Sequence, residues 1–291
     1  MRYFSIAGFI VAIDSRICQS RFTQNILSEF RTENSDGVPF LTVHVAPVAD
    51  FKDSVFNTSY SDLGIETSFY RVGKRFFRKL EKEGTFLRSE FYETDGEHYE
   101  TNFDFQGQNQ IGSMIYYSLR WACCLAFLHR QTLGFHSSTI IYEDKSLLFL
   151  GKSGTGKSTH SQLWLNNISG AELLNDDAPF VQIADSKVFT WGSPWSGKTP
   201  CYKNKSTQTA AFVLLQQAAY NKIRKLTLYE AVTVLLGSSR FYYFDDEIFT
   251  DRNYEILSEI LKKVPVYHLE CLPNADAAQL VVETLKANGV L

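Results

Sequence analysis

The sequence lacks the cysteine pattern of a disulfide-stabilised or zinc-binding protein. It holds five cysteines among 291 residues, an odd number, and no two of them form a Cys-x-x-Cys pair. Cys123 and Cys124 are adjacent and lie in a helical pattern. This distribution favours reduced thiols in a cytoplasmic protein over a disulfide framework or a zinc site.

An excess of basic charge is missing as well. The formal net charge is −3, so electrostatics gives no reason to expect nucleic acid or an anionic membrane as a partner. The fractions of hydrophobic residues (44%) and charged residues (21%) are those of an ordinary globular protein. We see no internal repeat and no low-complexity linker.

Long apolar runs are also absent. No run reaches the roughly 18 uninterrupted apolar residues that suggest a membrane span, so we expect none. The N-terminal run "MRYFSIAGFIVAI" has the basic second residue of a signal peptide. However, it meets Asp14 and Arg16 at once and has no small-x-small cleavage site. We therefore predict a first β-strand there.

Residues 1–106 are predicted to form an aromatic-rich, mostly β subdomain. Residues 41–45, "LTVHV", alternate apolar and polar side chains as a half-buried strand does. Asp95-Gly96 lies at the centre of residues 90–105 and predicts a tight hairpin turn. Residues 74–83 fit either a short amphipathic helix or another strand.

Residues 107–291 show the pattern of an α/β (α+β) domain, and the boundary is placed where the composition changes. Apolar residues at three- and four-residue steps predict a helix over 108–130. The apolar runs 138–142 and 146–150 predict a β-hairpin. Further strands are predicted within 172–183, 187–191, 210–217 and 266–273, and helices at 228–236, 247–262 and 275–287.

The second strand of that hairpin runs into a glycine-rich loop. Residues 151–158, "GKSGTGKS", match the pattern G-x-x-x-x-G-K-[ST] at every position. Gly154 and Gly156 let successive backbone N–H groups point into one hollow, where phosphate oxygens bind. Lys157 brings positive charge to the outer phosphates, and the Ser158 hydroxyl can ligate Mg²⁺. The predicted nucleotide-binding residues are Gly151, Ser153, Gly154, Thr155, Gly156, Lys157, Ser158 and Thr159.

The alternative interpretation of this segment is a flexible loop that happens to contain glycines. It does not explain the apolar strand before the loop or the helical run "THSQLWL" after it. We therefore predict a site for ATP or another nucleoside triphosphate with Mg²⁺.

A pair of carboxylates, Asp176 and Asp177, follows a short apolar run in "LLNDDAPF". In phosphate-loop enzymes an acidic residue in such a place coordinates the metal. A second carboxylate can accept a proton from an attacking hydroxyl. We assign Asp176 as the base and Asp177 as the metal ligand beside Ser158. The alternative is a solvated turn, because Asn-Asp-Asp-Ala-Pro is also good turn chemistry.

The set "GFHSSTIIYEDKSLLFLGKSGTGKST…LLNDDAPF" resembles the catalytic domain of HPr kinase/phosphorylase. That family has a histidine-containing strand, a hairpin, a GxSGxGKS loop and a strand that ends in Asp-Asp. The segments "SGTGKST" and "NDDAPF" are also similar to ATP-dependent phosphoenolpyruvate carboxykinase, which shares the core. The resemblance covers residues 135–180 and implies a bacterial P-loop domain with a mixed sheet.

The resemblance implies that His136 lies near the phosphates and takes part in catalysis. A histidine at the start of a strand is otherwise more often a structural hydrogen-bonding residue. The family's later glycine- and arginine-containing signature is not found, and neither are the carboxykinase's substrate-binding arginines. The chain looks most like the small HPr-kinase-like proteins that accompany peptide-modification systems in bacteria.

Residues 192–198, "GSPWSGK", form a turn-rich loop whose Lys198 is predicted to reach the γ-phosphate or the acceptor. The alternative is a packed loop that carries an exposed lysine. Trp191 and Trp195 are candidates for an apolar wall. His160, two residues after Ser158, is predicted to lie on the helix surface without a role.

The favoured function is a Mg²⁺- and ATP-dependent kinase that transfers the γ-phosphate to a hydroxyl. The acceptor would be a serine of a peptide or protein, a free amino acid or another small molecule. One alternative is a nucleotide-regulated module that binds a peptide or partner and transfers little. A second alternative, a phosphoenolpyruvate carboxykinase, would need the arginines that the chain does not show. Residues 1–106 are expected to shape the site for the acceptor or partner. The sequence leaves a homo-oligomer open.

Overall fold

The computed structural model divides the chain into two compact units, Met1–His129 with Tyr243–Thr250 and Arg130–Tyr242 with Asp251–Leu291. The boundary predicted at residue 106 falls in 105–110, outside the described residues, and remains a prediction. The structure describes residues 1–33, 37–46, 55–62, 65–72, 75–82, 85–93, 98–104, 111–239 and 247–291.

The first unit contains a mixed sheet in the order β1-β2-β3-β8-β7-β6-β5-β4. β2 pairs parallel with β3 and β3 parallel with β8, and the other neighbours are antiparallel. The strands are β1 (Arg2–Ile6), β2 (Phe9–Ile13), β3 (Leu41–Val45), β4 (Val55–Asp62), β5 (Ile65–Val72), β6 (Arg75–Lys82), β7 (Thr85–Glu93) and β8 (Tyr99–Asp104).

Several sequence predictions for this unit are confirmed. The N-terminal apolar run, predicted as one strand, forms two antiparallel strands, β1 and β2, and residues 41–45 form β3 as predicted. Residues 75–82, which the pattern left undecided, form a strand. The Asp95-Gly96 turn lies outside the described residues, but β7 and β8 on either side of it pair antiparallel.

Two helices accompany this sheet, α1 (Arg21–Leu27) and α2 (Ile111–Leu128). α2 lies within the predicted helix 108–130 and packs against β3, β7 and β8. Phe127 near its end is fully buried and contacts Phe9, with 4.7 Å between ring centroids. Ile115, Leu119, Ala122 and Ala126, whose spacing predicted the helix, are buried in the core as well.

The second unit contains a mixed sheet that confirms the predicted α/β architecture. The main path runs β12-β10-β11-β15-β14-β13-β9; β17 also pairs with β15, and β16 with β17. β11–β15 and β15–β17 are parallel pairs. The strands are β9 (Thr132–Gly134), β10 (Ser137–Tyr142), β11 (Lys145–Leu150), β12 (Glu172–Asn175), β13 (Phe180–Ala184), β14 (Lys187–Trp191), β15 (Ser206–Gln217), β16 (Lys222–Lys225) and β17 (Val266–Cys271).

The helices described after residue 130 match the sequence prediction closely. The helix over 275–287 has the predicted bounds, and its N-cap Asn274 accepts a hydrogen bond from the Ala277 N–H, as an N-cap side chain should. The helices are α3 (Lys157–Asn167), α4 (Leu228–Ser238), α5 (Glu247–Leu261) and α6 (Ala275–Ala287).

The predicted hairpin of β10 and β11 is confirmed and carries the glycine-rich loop. Glu143 and Asp144 form its two-residue turn with φ of 49° and 57°, the left-handed values that a tight hairpin needs. Lys286 Nζ lies 2.6 Å from Glu143 Oε1 and holds the turn. β11 is parallel to β15, so the loop that follows Leu150 lies at the carboxyl end of two parallel strands.

The predicted surface position of His160 is wrong. Its side chain is only 3% exposed, and its Nε2 accepts a hydrogen bond of 3.3 Å from the Trp164 indole N–H. The ring also contacts Phe149 edge-on, with 4.6 Å between centroids. His160 and Trp164 are four residues apart, so they share the face of α3 that packs on the sheet. Burial lowers the pKa of His160 from 6.5 to about 4.

We expect this buried imidazole to make stability fall in mild acid. The folded pKa is below the unfolded one, so the unfolded chain binds the proton first as the pH falls from 6.5 towards 4. His160 should therefore cost roughly 2 kcal/mol of unfolding free energy between pH 7 and pH 4.5. Urea titrations at the two pH values measure this loss.

The His160→Gln variant should lose less stability over the same interval, because glutamine does not titrate. His268→Gln, on β17, serves as the matched control and should keep the wild-type loss. An equal loss in all three proteins would contradict the assignment to His160.

Candidate active site

The backbone of the glycine-rich loop takes left-handed conformations at its glycines. Gly154 and Gly156 have φ of 85° and 104°, values that L side chains rarely adopt. Gly156 is the N-cap of α3 and supplies no side-chain cap, so the first N–H groups of the helix are not capped by a side chain. Such N–H groups, together with the helix dipole, favour an anion at this end.

Lys157 lies inside this loop. The residue is 9% exposed, and its Nζ donates to Gly151 O at 2.8 Å and to Lys152 O at 3.3 Å. Nζ also lies 3.1 Å from His136 Nε2. The ammonium is thus already at the loop where phosphates would bind. Ser158, the predicted metal ligand, follows in the first turn of α3 and is partly exposed.

His136 joins Lys157 to the acidic turn. Its Nδ1 lies 2.9 Å from Asp177 Oδ1, and its backbone N–H donates to Ser238 O at 2.8 Å. An ammonium can only donate, so Nε2 accepts from Lys157 and the ring proton lies on Nδ1. The three side chains form one hydrogen-bonded chain, which we call the lysine path. The structure thus brings together three residues that the sequence singled out.

Asp176 is held differently from its neighbour. It is 6% exposed; its Oδ1 accepts from Ser138 Oγ at 2.7 Å and its Oδ2 from Thr199 N at 3.2 Å. Ser138 Oγ in turn lies 2.6 Å from Ser161 Oγ. The sequence prediction missed both serines. Ser138 lies two residues after His136, and Ser161 lies four residues after Lys157 on the same face of α3.

Asn175, which the sequence prediction also missed, organises the acidic turn. Its Oδ1 accepts from the N–H groups of Asp177 at 3.0 Å and Ala178 at 2.7 Å. Its Nδ2 donates to Trp195 O at 2.9 Å and to Ser193 Oγ at 3.2 Å. The residue is fully buried. One amide therefore fixes the turn that carries both aspartates and ties it to the loop 192–198.

The loop 192–198 lies against the aspartates. A Cβ on Gly197 would come 2.7 Å from Asp176 O, closer than real Cβ atoms approach, so only glycine fits without a shift. Lys198 follows it and is exposed. Trp195 is fully buried against Phe180, so it belongs to the core.

The Gly197→Ala variant should therefore displace the aspartates, although Gly197 itself is exposed at the surface. We expect about 1–3 kcal/mol of lost unfolding free energy, the usual cost of forcing a methyl group into a filled site. Gly237→Ala is the matched control, since its Cβ would meet nothing within 4 Å. Urea titration of both variants checks this, and equal stability would contradict the close approach.

No helix in the described part of the chain is long and apolar enough to cross a membrane. Among the same residues, no group of three or more His, Cys, Asp or Glu side chains is placed to hold a metal ion. Ser158 and the two aspartates nevertheless offer the hard oxygen ligands that Mg²⁺ takes when it shares its coordination with phosphates.

Comparison with known proteins gives a distant likeness. No protein-family model matches the sequence, and no curated protein matches it. Solved structures do match, among them the structure of the Hpr(Ser) kinase/phosphatase from Coxiella burnetii. That match has 13% sequence identity and a TM-score of 0.32, and it covers 54% of this chain and 95% of the other.

Proposed function

We propose that this chain is a Mg²⁺-dependent kinase that transfers the γ-phosphate of ATP, or of another nucleoside triphosphate, to a hydroxyl. The observation that carries the proposal is the lysine path, which connects the phosphate loop through His136 to Asp177. A loop that only bound nucleotide would not need a carboxylate and an imidazole in contact with its lysine. Phosphoryl transfer needs both positive charge and a proton acceptor at this place.

Binding would rest on the loop itself. The backbone N–H groups around Gly154 and Gly156 and the Lys157 ammonium would hold the phosphate oxygens. Ser158 and Asp176 would hold Mg²⁺, which, when bound, neutralises the negative charge of the phosphates. Because the ammonium already lies in the loop, little rearrangement of the chain is needed.

The proton acceptor would be Asp177. Both oxygens of Asp176 already accept hydrogen bonds, from Ser138 and Thr199, so they are less available to a reacting hydroxyl. Asp177 contacts the His136 imidazole, which helps to orient it. This geometry favours the reverse of the sequence-based assignment, with Asp177 as base and Asp176 beside the metal. The hydroxyl would give its proton to Asp177 as its oxygen attacks phosphorus and ADP leaves.

The acceptor would be a serine side chain of a peptide or protein, a free amino acid or another small hydroxyl compound. Lys198 is exposed and follows Gly197 at the end of the loop that lies against the aspartates, so it would meet the acceptor or the γ-phosphate.

The direct test is incubation of the protein with γ-labelled ATP, Mg²⁺ and a panel of serine peptides, free amino acids and small alcohols. We expect labelled product with at least one hydroxyl acceptor, and none when EDTA replaces Mg²⁺. Binding of ATP without transfer to any acceptor or to water would count against a kinase.

A further inference from the structure

A second, buried chain of side chains links the phosphate-loop helix to Asp176. Ser161 Oγ, on α3, lies 2.6 Å from Ser138 Oγ, on β10, and Ser138 Oγ donates to Asp176 Oδ1 at 2.7 Å. Ser138 is 0% exposed and Ser161 is 1% exposed. We call this chain the serine path.

The direction of the hydrogen bonds follows from counting protons. An ionised carboxylate only accepts, and each hydroxyl has one hydrogen to donate. Ser138 therefore donates to Asp176, and Ser161 donates to Ser138. Because both hydroxyls are shielded from solvent, removing either one leaves its neighbour short of a partner.

Each residue of the serine path has a counterpart in the lysine path that lies close to it in the sequence. Ser161 lies four residues after Lys157, on the same face of α3. Ser138, in β10, lies two residues after His136, which directly precedes the strand. Each path ends on one of the two adjacent aspartates, so the helix that begins in the phosphate loop is connected to both carboxylates.

The setting of the two serines argues against a random polar pair. The next residues on the same two faces, Ile140 and Trp164, belong to the hydrophobic core. A hydroxyl in such surroundings costs free energy unless it is hydrogen-bonded. Here both hydroxyls are used, and the terminal acceptor is the carboxylate that the proposed function places beside Mg²⁺.

We propose that Ser138 and Ser161 are positioning residues that hold the Asp176 carboxylate in fixed register with helix α3. The inference rests on the proposed function, because it gives Asp176 the role of completing the Mg²⁺·nucleotide site. Residues that orient a metal-binding group through a hydrogen bond commonly contribute to metal affinity without touching the metal.

The test compares ATP affinity with Mg²⁺ and with EDTA in Ser138→Ala and Ser161→Ala. We call the ratio of ATP affinity with Mg²⁺ to ATP affinity with EDTA the Mg²⁺ gain. In each variant this gain should be roughly tenfold smaller than in wild type, while the affinity in EDTA changes by less than about threefold. Ser137→Ala is the matched control: Ser137 is equally buried, adjacent in the strand, and bonded to Thr139 instead. It should behave as wild type, and Ser138→Thr, which keeps the hydroxyl, should recover most of the gain.

A background variant separates positioning from general structural support. In Asp176→Asn, the further change Ser138→Ala should have no additional effect on the Mg²⁺ gain. The same loss in both backgrounds would overturn the proposal, as would a normal gain in Ser138→Ala. If that variant does not fold, Ser161→Ala and Ser138→Thr decide the question by the same comparison. No Mg²⁺ gain in the wild-type protein would refute the proposed function and this inference together.

Discussion

The Asp177→Asn variant should reduce phosphate transfer by roughly 10²–10⁴-fold, the usual contribution of a positioned general base. Asparagine keeps an oxygen that can accept from His136 Nδ1, so the geometry of the lysine path is preserved. What is lost is the ability to take the proton from the acceptor. The affinity for ATP should therefore stay within a few-fold of wild type. Initial rates with the acceptor found in the labelled-ATP panel, beside calorimetric ATP titrations, measure the two effects separately.

Asp176→Asn is the matched comparison, since it makes the same chemical change at the adjacent residue. It should weaken binding of Mg²⁺·ATP and transfer together, because the proposed function makes Asp176 a ligand of the metal. If the two variants exchange these behaviours, Asp176 is the base, as the sequence alone suggested. If neither variant changes ATP binding and the wild type transfers to no acceptor, a nucleotide-regulated binding module becomes the better account.

The Lys157→Ala variant should lower the affinity for Mg²⁺·ATP by roughly 10- to 100-fold, because hydrogen bonds to charged groups contribute about 1.5–3 kcal/mol. A ligand that binds only the folded state raises the thermal midpoint in proportion to RT ln(1 + [L]/Kd). Millimolar Mg²⁺·ATP should therefore stabilise wild type and stabilise Lys157→Ala much less. Lys157→Met, which keeps the apolar stem, guards against a loss that comes from packing alone.

Lys152→Ala controls for the removal of a positive charge from the same loop. The Lys152 side chain is exposed, and only its backbone carbonyl contacts Lys157. The wild-type shift in midpoint should therefore survive in this variant. A folded wild-type protein whose midpoint does not move with millimolar nucleotide would contradict the proposed function itself.

The elements that the sequence predicted well are those with a local cause. The hairpin of β10 and β11 follows from two apolar runs that are separated by a short polar turn, and α6 follows from a capping residue and an apolar face. The glycine-rich loop is also local in sequence, since it is one contiguous stretch that ends in Lys157 and Ser158; its role as a phosphate loop stays a prediction. The acidic pair was found because it follows an apolar run at a strand end. The sequence pattern could not show which of the two aspartates would be the proton acceptor and which the metal ligand.

The sequence alone therefore determined the α/β pattern of residues 107–291, the loop and the acidic pair, whereas the partners of those residues depended on the tertiary structure. Ser138 is 38 residues from Asp176 and 23 from Ser161, and Asn175 is 20 from Trp195. The polar helix "KSTHSQLWLNN" likewise gave no apolar stripe that would place His160 inside. A serine, asparagine or histidine is common on surfaces and in turns, so its type does not reveal burial. Only the pairing of β10 with β12 and the packing of α3 against the sheet bring these groups within hydrogen-bonding distance, and there, away from water, their hydrogen bonds fix the two carboxylates.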